Sequence, residues 1–371
     1  KTHPRFARSQ TPHSNSLTMP EPVASLPSLG PAGVADNLRA LTRKDFQTEQ
    51  EVRWCPGCGD YAILTVVQKV LAGLGIPRHR YAFVSGIGCS SRFPYYVNTY
   101  GFHGIHGRAP AIATGVKLTN PDLSVWVSTG DGDSLAIGGN HFIHVIRRNV
   151  DLNIVLFNNQ IYGLTKGQFS PTTPRGTVTK TSPDGTIEDS FNVGQLVLGA
   201  QGTFFARVID NMPQFMADVL YIAAQHHGTS VVEILQNCVI FNDKAYEHIA
   251  GKETRDDNLL LLTPDEPMIF GKNKNKGIAW KKGKLVVVEI GKDAALEDIL
   301  VHKPYEDNFY LQMMLCQMMP PEYPMAVGVI RMIKKPTYDD LMNEQILHAR
   351  ETSDIRCMDD LLNSGSVFEI S

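Results

Sequence analysis

Nowhere in the 371 residues do about 20 apolar positions run together without a Gly, Asn, Asp or Lys to interrupt them, so no segment reads as a membrane-spanning helix. Charge of one sign is also lacking. The formal net charge is -3, with acidic and basic residues mixed along the chain, which makes neither nucleic acid nor a membrane an expected partner. Cysteine is sparse, six in the whole chain, and no apolar signal-peptide core precedes them. The thiols are therefore read as belonging to a reducing, cytoplasmic compartment and as serving metal or redox chemistry instead of disulfides. Internal repeats are absent. With 43% apolar and 20% charged positions, disordered and fibrous classes are excluded, and a soluble chain remains, long enough for one large α/β domain and a substantial appendage.

Composition divides the chain in three. Residues 1–48 read as a flexible N-terminal arm: the stretch to about Gly33 carries Pro, Ser and Thr with Arg5 and Arg8, and its acid-free start leaves a transit peptide as the alternative. Residues 49–250 read as the folded domain. Residues 251–371 loosen into a Pro-punctuated extension, strongly basic over 272–284, with one strand at 285–289 and helical stretches near 310–319 and 338–351. Subunit contacts are the expected use of that extension. Its Met313, Met314, Met318 and Met319 read as packing.

Within the domain, Ile63, Val66, Val67, Val70, Leu71 and Leu74 recur at helical spacing until Gly75 and Pro77 stop the pattern. Short apolar runs at 81–84, 124–127, 153–157, 204–208 and 230–235 read as buried strands. Helical stretches at 109–118, 140–148 and 213–226 separate them. This alternation predicts a doubly wound, mostly parallel α/β sheet. Ligands in such sheets bind beyond the carboxyl ends of the strands, where this sequence is Gly-rich and polar: Gly86-Ile87-Gly88-Cys89-Ser90-Ser91-Arg92, Gly130-Asp131-Gly132-Asp133, Asn158-Asn159-Gln160-Ile161-Tyr162-Gly163 and Asn237-Cys238.

Asp131 lies between two glycines after one strand, and Asn159 ends the next, 28 positions on. One βαβ unit separates them, so their strands are near neighbours. A carboxylate, an amide oxygen and a backbone carbonyl, here that of Ile161, are the hard oxygen donors Mg²⁺ prefers beside phosphate. The flanking glycines allow close approach, and a helix starting near Gly138 is placed to offer N–H groups to negative charge. As a bare triplet Gly-Asp-Gly is common in turns; the strand context and second Asn give it meaning. The pattern resembles the magnesium and thiamine diphosphate motif of thiamine-dependent enzymes.

Four cysteines fall on the same rim: Cys55 and Cys58 in a Pro-Gly loop, Cys89 and Cys238. Spacing alone leaves tetrahedral zinc and an iron–sulfur cluster equally open, beside a dithiol pair or plain buried thiols. Trp54-Cys55-Pro56-Gly57-Cys58-Gly59, the 86–92 loop, His103-Gly104-Ile105-His106-Gly107-Arg108, Gly130 to Asp133, Asn159 to Gln168 and Asn237-Cys238 together resemble the β subunits of 2-oxoacid:ferredoxin oxidoreductases, over about residues 50 to 250.

That resemblance implies one 4Fe-4S cluster on Cys55, Cys58, Cys89 and Cys238, with Cys316 and Cys357 plain thiols. It implies a thiamine diphosphate lined by Ile87, Gly88, Ser90, His106, Gly132, Asp133, Gly163 and Leu164, with Mg²⁺ on Asp131, Asn159 and Ile161. Lys166 matches a position that meets the substrate carboxylate, and Arg92 is placed similarly. His141 and His144 read as structural. The implied reaction is CoA-dependent oxidative decarboxylation of a 2-oxoacid, with electrons passing through the cluster to ferredoxin. The pyrimidine half of the cofactor site is missing, so an α subunit and an (αβ)₂ assembly are implied. The segment 162–168 followed by Ser170-Pro171-Thr172-Thr173 resembles the 2-oxoglutarate-type members. Two other readings remain open: a non-oxidative thiamine-dependent decarboxylase subunit, and a zinc-stapled, non-catalytic interaction subunit.

Overall fold

The structure, a computed structural model, describes residues 40–368 and Ile370; most of the expected N-terminal arm, 1–39, lies outside the described residues. Eleven strands are found among them: β1 (Tyr81–Ser85), β2 (Tyr100–His103), β3 (Ser124–Gly130), β4 (Asn153–Asn158), β5 (Phe204–Ile209), β6 (Ser230–Leu235), β7 (Leu259–Leu261), β8 (Ile269–Phe270), β9 (Lys276–Lys281), β10 (Lys284–Glu289) and β11 (Met325–Met332). Eight form one sheet in the order β2-β1-β3-β4-β6-β5-β11-β7, and β10-β9-β8 form a small antiparallel sheet. Pairing is parallel from β2 through β5; β11 then runs antiparallel to β5 and parallel to β7. The expected doubly wound, mostly parallel α/β sheet is present.

The central strands are mostly apolar because both faces are covered, and the buried charges of Arg207 in β5 and Glu233 in β6 pair with each other. Successive residues serve opposite sides. Phe83, Trp126, Val155, Phe157 and Val232 pack with Ile63, Val67 and Leu71 of the helix Asp60–Gly73 and with Met216 and Leu220 of the helix Pro213–Gln225. Val84, Val125, Val127, Ile154 and Leu156 pack instead with Ala109 and Ala113 of the helix Ala109–Thr119, Phe142 and Ile146 of Gly139–Arg148, and Val197 of Val193–Gly199. Burying each such side chain contributes about 1.5–3 kcal/mol. The helix Asp60–Gly73 stops where the pattern predicts, with Gly75 at φ +69° in the left-handed region a side chain would resist.

Several elements differ from the sequence reading. Most of the basic stretch 272–284 lies in the β9–β10 hairpin, of which only the second strand was expected. Within the extension, β7 and β11 complete the main sheet, and the described residues from Ala40 onward form one compact unit. β11 was invisible because Gly328, at φ +115°, and a buried Arg331 interrupt its apolar run. Arg331 is tolerated there because it donates to Gly202 O at 2.8 Å, bonds Gln312 and pairs with Asp307 at 2.8 Å. β2 escaped notice because all four of its residues are exposed at a sheet edge. The last residues of the expected arm are folded: Arg43–Phe46 forms a 3₁₀ turn whose Phe46 is buried edge-on against Tyr81, ring centroids 5.7 Å apart. No helix among the described residues is long and apolar enough to cross a membrane.

A buried polar knot ties the opposite, amino-terminal edge of the sheet. Asn149 sits in the left-handed region at the end of the helix Gly139–Arg148. Its Oδ1 accepts Thr203 Oγ1 at 2.7 Å and Thr229 N at 3.1 Å, and His226 Nε2 lies 2.9 Å from the same Thr203 hydroxyl. Burial pulls the His226 imidazole down from 6.5 to about 4, against the field of Asp151. Between those values the unfolded chain binds more protons than the folded one, so this contribution is complete above pH 6.5 and is lost as pH falls towards 4. Urea unfolding measured across that window should show about 1–2 kcal/mol of stability lost to this group, given its partial exposure, and His226→Gln should flatten that part of the profile.

Candidate cofactor and cysteine site

The parallel pairing of β3 with β4 puts Gly130 opposite Phe157, so the chain leaves both strands at the same edge. A cavity of about 390 Å³ opens there, lined by Ile87, Gly88, Cys89 and Ser90 after β1, His106 after β2, Gly130 to Asp133 after β3, Asn159 to Thr165 in part after β4, and Gln236 after β6. Asp131 is 3% exposed, and burial pushes its carboxyl up from the usual carboxylate range while hydroxyls of Ser170 and Thr172 pull it back. Both hydroxyls donate to the same oxygen, Oδ2, at 2.6 Å. Backbone N–H groups of Asp131 and Gly132 also face the carboxyl, and Oδ1, which takes neither hydroxyl, can serve a cation. Asn159 donates its Nδ2 to Gln236 Oε1 at 2.9 Å, and its Oδ1 accepts Ile161 N at 3.2 Å with a second lone pair to spare. Gly132 is required beneath Tyr162, since a Cβ there would lie 2.2 Å from the ring, and Tyr162 OH donates to Gly132 O at 3.0 Å.

Asp133 lines the cavity and also ties its loops together. Its buried carboxylate accepts Ile87 N at 3.1 Å, Gly107 N at 2.7 Å and Thr129 Oγ1 at 2.7 Å. His106 Nδ1 lies 2.8 Å from Oδ1, close enough for charge pairing but not aligned for a hydrogen bond. Three strand-end loops thus converge on one side chain. Gly86 makes room for it, because a Cβ at that position would come within 2.1 Å of Asp133 Oδ2. The helix that starts at the site is the short turn Asp131–Leu135, not the one near Gly138, whose backbone is packed against Gly107.

A second cavity, about 240 Å³, shares a wall with the first: Asp60, Cys89, Asn159, Gly163, Leu164 and Gln236 line both. Cys55, Cys58, Cys89 and Cys238 all open onto it, and all are free. A Cβ placed on Gly163 would touch the sulfurs of Cys238 and Cys89 at 3.6 and 3.7 Å, so that glycine sits between two of the thiols. Trp54 Nε1 donates to Cys89 O at 2.8 Å and fixes the loop after β1 to the Cys-Pro-Gly-Cys turn. The Cys89 thiol is pushed up to about 12, first by burial, then by Asp60 and by the Cys238 and Cys55 thiols, while Arg92 pulls it down. Burial and Asp60 push Cys58 up as well. Such thiols stay protonated until a cation replaces the protons. Among the described residues no three His, Cys, Asp or Glu groups are spaced to hold a single metal ion.

The structure therefore brings Ile87, Gly88, Ser90, His106, Asp131, Gly132, Asp133, Asn159, Ile161, Gly163 and Leu164 to one cavity, and the four cysteines to its neighbour. Lys166 and Arg92 line the cysteine cavity and not the first one; Lys166 is exposed, at φ +78°. Residues the sequence reading passed over include Ser170 and Thr172 as donors to Asp131, Gln236, and Asp60. Asp60 is buried with Oδ2 lacking a partner, and burial, against a bond from Cys58, pushes its carboxyl up to about 7. The available signal was a polar residue directly abutting a motif: Asp60 follows Cys-Gly, and Gln236 precedes Asn-Cys.

Comparison with known proteins gives the same outline. The thiamine pyrophosphate enzyme, C-terminal TPP binding domain, matches residues 86–234. The 2-oxoglutarate oxidoreductase subunit KorB of Mycobacterium tuberculosis is 48% identical over 323 residues, covering 87% of this chain and 86% of that one. The chain belongs to the 2-oxoacid:ferredoxin oxidoreductase β-subunit family. Another member, 2-oxoacid:ferredoxin oxidoreductase 1 subunit beta of Aeropyrum pernix, is 45% identical over 220 residues, 59% of this chain and 68% of its own length. Among solved structures, the 2-oxoglutarate:ferredoxin oxidoreductase of Magnetococcus marinus, determined with 2-oxoglutarate, coenzyme A and succinyl-CoA bound, superposes with a TM-score of 0.70 at 30% identity, covering 89% of this chain and 98% of that one. The family resemblance read from the motifs is thus confirmed.

In this β subunit, Asp133→Ala should cost about 2–4 kcal/mol in urea unfolding, because two backbone amides and a hydroxyl lose their acceptor in a buried place. Asp133→Asn, which keeps the shape and can still accept from both amides, should cost about 1 kcal/mol. Equal losses in the two variants would show that the carboxylate does not tie the loops together.

Proposed function

We propose that the chain is the diphosphate-binding half of an enzyme converting 2-oxoglutarate and coenzyme A to succinyl-CoA and carbon dioxide, with electrons leaving through a 4Fe-4S cluster to ferredoxin. The observation that carries this reading is the shared wall of the two cavities, one rich in oxygen donors and glycine, the other surrounded by four thiols. Thiamine diphosphate, when bound, supplies the electron sink for decarboxylation, and a cluster beside it supplies a short one-electron path out.

The chain's own residues supply placement and charge. Asp131 presents Oδ1, because two hydroxyls occupy Oδ2; Asn159 presents its amide oxygen, because Gln236 holds its nitrogen. With the Ile161 carbonyl these are hard donors suited to Mg²⁺. Gly88 leaves open space where a side chain would project, and Ile87, Ser90, Gly132, Gly163 and Leu164 line the cavity with it. Asp133 holds the loops in place beside His106. The four cysteines border one space, which suits a cubane held by four thiolates. Arg92 and Lys166 place two cations at the margin of that space, positioned for a substrate carboxylate and for the negative charge of a cluster. The pyrimidine half of the cofactor requires an α subunit, in an (αβ)₂ assembly.

Anaerobic co-expression with an α subunit should give brown protein with iron and sulfide near about four per β chain above the content of the partner. Replacing Cys58 or Cys238 by Ser should remove that increment. The assembly should reduce viologen with coenzyme A and 2-oxoglutarate faster than with pyruvate or branched-chain acids. Zinc in place of iron, or no reduction with any 2-oxoacid, defeats the proposal.

A further inference from the structure

Gln236 reaches both ligand sets with one amide. Its Nε2 donates to Asn237 O at 2.8 Å and to Cys58 Sγ at 3.3 Å, and its Oε1 accepts Asn159 Nδ2 at 2.9 Å. The orientation is determined from two sides. A backbone carbonyl only accepts, so the group facing Asn237 O is the nitrogen; Asn159 uses its oxygen for Ile161 N, so its nitrogen faces Gln236. The side chain is 1% exposed. Its backbone N donates to Asn158 O at 2.9 Å, extending the β4–β6 ladder by a step and placing the amide on a rigid strand end. Gly59, beside Cys58, allows the approach, because a Cβ there would come within 2.9 Å of Gln236 Cγ. No other part of the arrangement described above joins a candidate cluster ligand to a candidate magnesium ligand through one side chain.

We infer that Gln236 couples the two halves of the centre, its N–H stabilising negative charge on the Cys58 sulfur while its carbonyl aims Asn159 into the neighbouring cavity. The inference rests on the cluster reading of the four thiols. An N–H bond to a ligand sulfur favours the reduced, more negative cluster and raises its potential. An acceptor for Asn159 Nδ2 removes the rotamer in which that nitrogen faces the cavity, and so favours metal binding. Because one amide serves both, the two effects disappear together when it is removed. A side chain that merely filled space would leave both readouts unmoved once replaced by one of equal size.

The test uses the αβ assembly. Iron and sulfide in the unaltered assembly are measured first; their absence overturns the cluster reading, and this inference with it. Gln236→Leu is expected to retain iron and sulfide, to lower the cluster midpoint potential by the equivalent of about tenfold in the one-electron equilibrium, about 59 mV, and to raise the Mg²⁺ concentration for half-maximal thiamine diphosphate binding about tenfold. Gln236→Glu keeps an acceptor for Asn159 and loses the N–H to sulfur, so the potential should fall while Mg²⁺ half-saturation stays unchanged. If Gln236→Leu fails to fold, Gln236→Glu decides. Iron-replete Gln236→Leu with both quantities unmoved, or with one moved alone, overturns the coupling, as does Gln236→Glu with an unmoved potential.

Discussion

One buried carboxylate organises the rim of this sheet. Asp133 accepts the Ile87 and Gly107 amides and the Thr129 hydroxyl, and so draws together the chain after β1, after β2 and at the end of β3. Loops at the carboxyl edge carry little apolar area with which to pack, and their backbone N–H groups must find partners wherever water is shut out. A single acceptor of full negative charge meets several such donors at once. Its own burial is tolerable because every loop it holds gives it a hydrogen bond.

Hydroxyl and amide groups repeat that logic one layer further in. Thr172 Oγ1 lies 2.6 Å from Asp131 Oδ2 and 2.9 Å from Asn158 Oδ1. Asn158 Nδ2 in turn donates to Glu233 at 2.8 Å, and Glu233 is paired with Arg207 at 2.7 Å, both nearly sealed from solvent. The row runs across the strand ends from β5 through β6 and β4 to β3. Removing either charge of such a pair is costly, while the pair itself adds modest net stability. What it provides here is a fixed direction for Asn158.

Much of this was legible in the sequence. Strands β1, β3, β4, β5 and β6 were readable because two-sided burial leaves short, predominantly apolar runs, and the polar or Gly-rich segments after most of them marked the edge where the cavities lie. β11 and β2 were not, because a buried Arg331 and an exposed edge obey no simple periodicity. At the site, the strand-end motifs located residues that line the two cavities, but they said little about who supports whom. Asp133 read as a cofactor-lining residue, and it does line the cavity, but its hold on the loops was not readable. Lys166 and Arg92 border the cysteine cavity, a placement the motifs did not specify. The partners of Asp131 come from Ser170 and Thr172, about 40 positions away in a loop without helix or strand, and such pairings follow from tertiary folding that local pattern does not carry.

The four cysteines stand on three separate stretches of chain: ahead of β1, just after it, and after β6. No nascent fragment presents them together, since Cys238 joins the others only when β6 has docked beside β4. The complete set of four thiols is consequently a property of the finished domain, reaching from ahead of its first strand to just past β6.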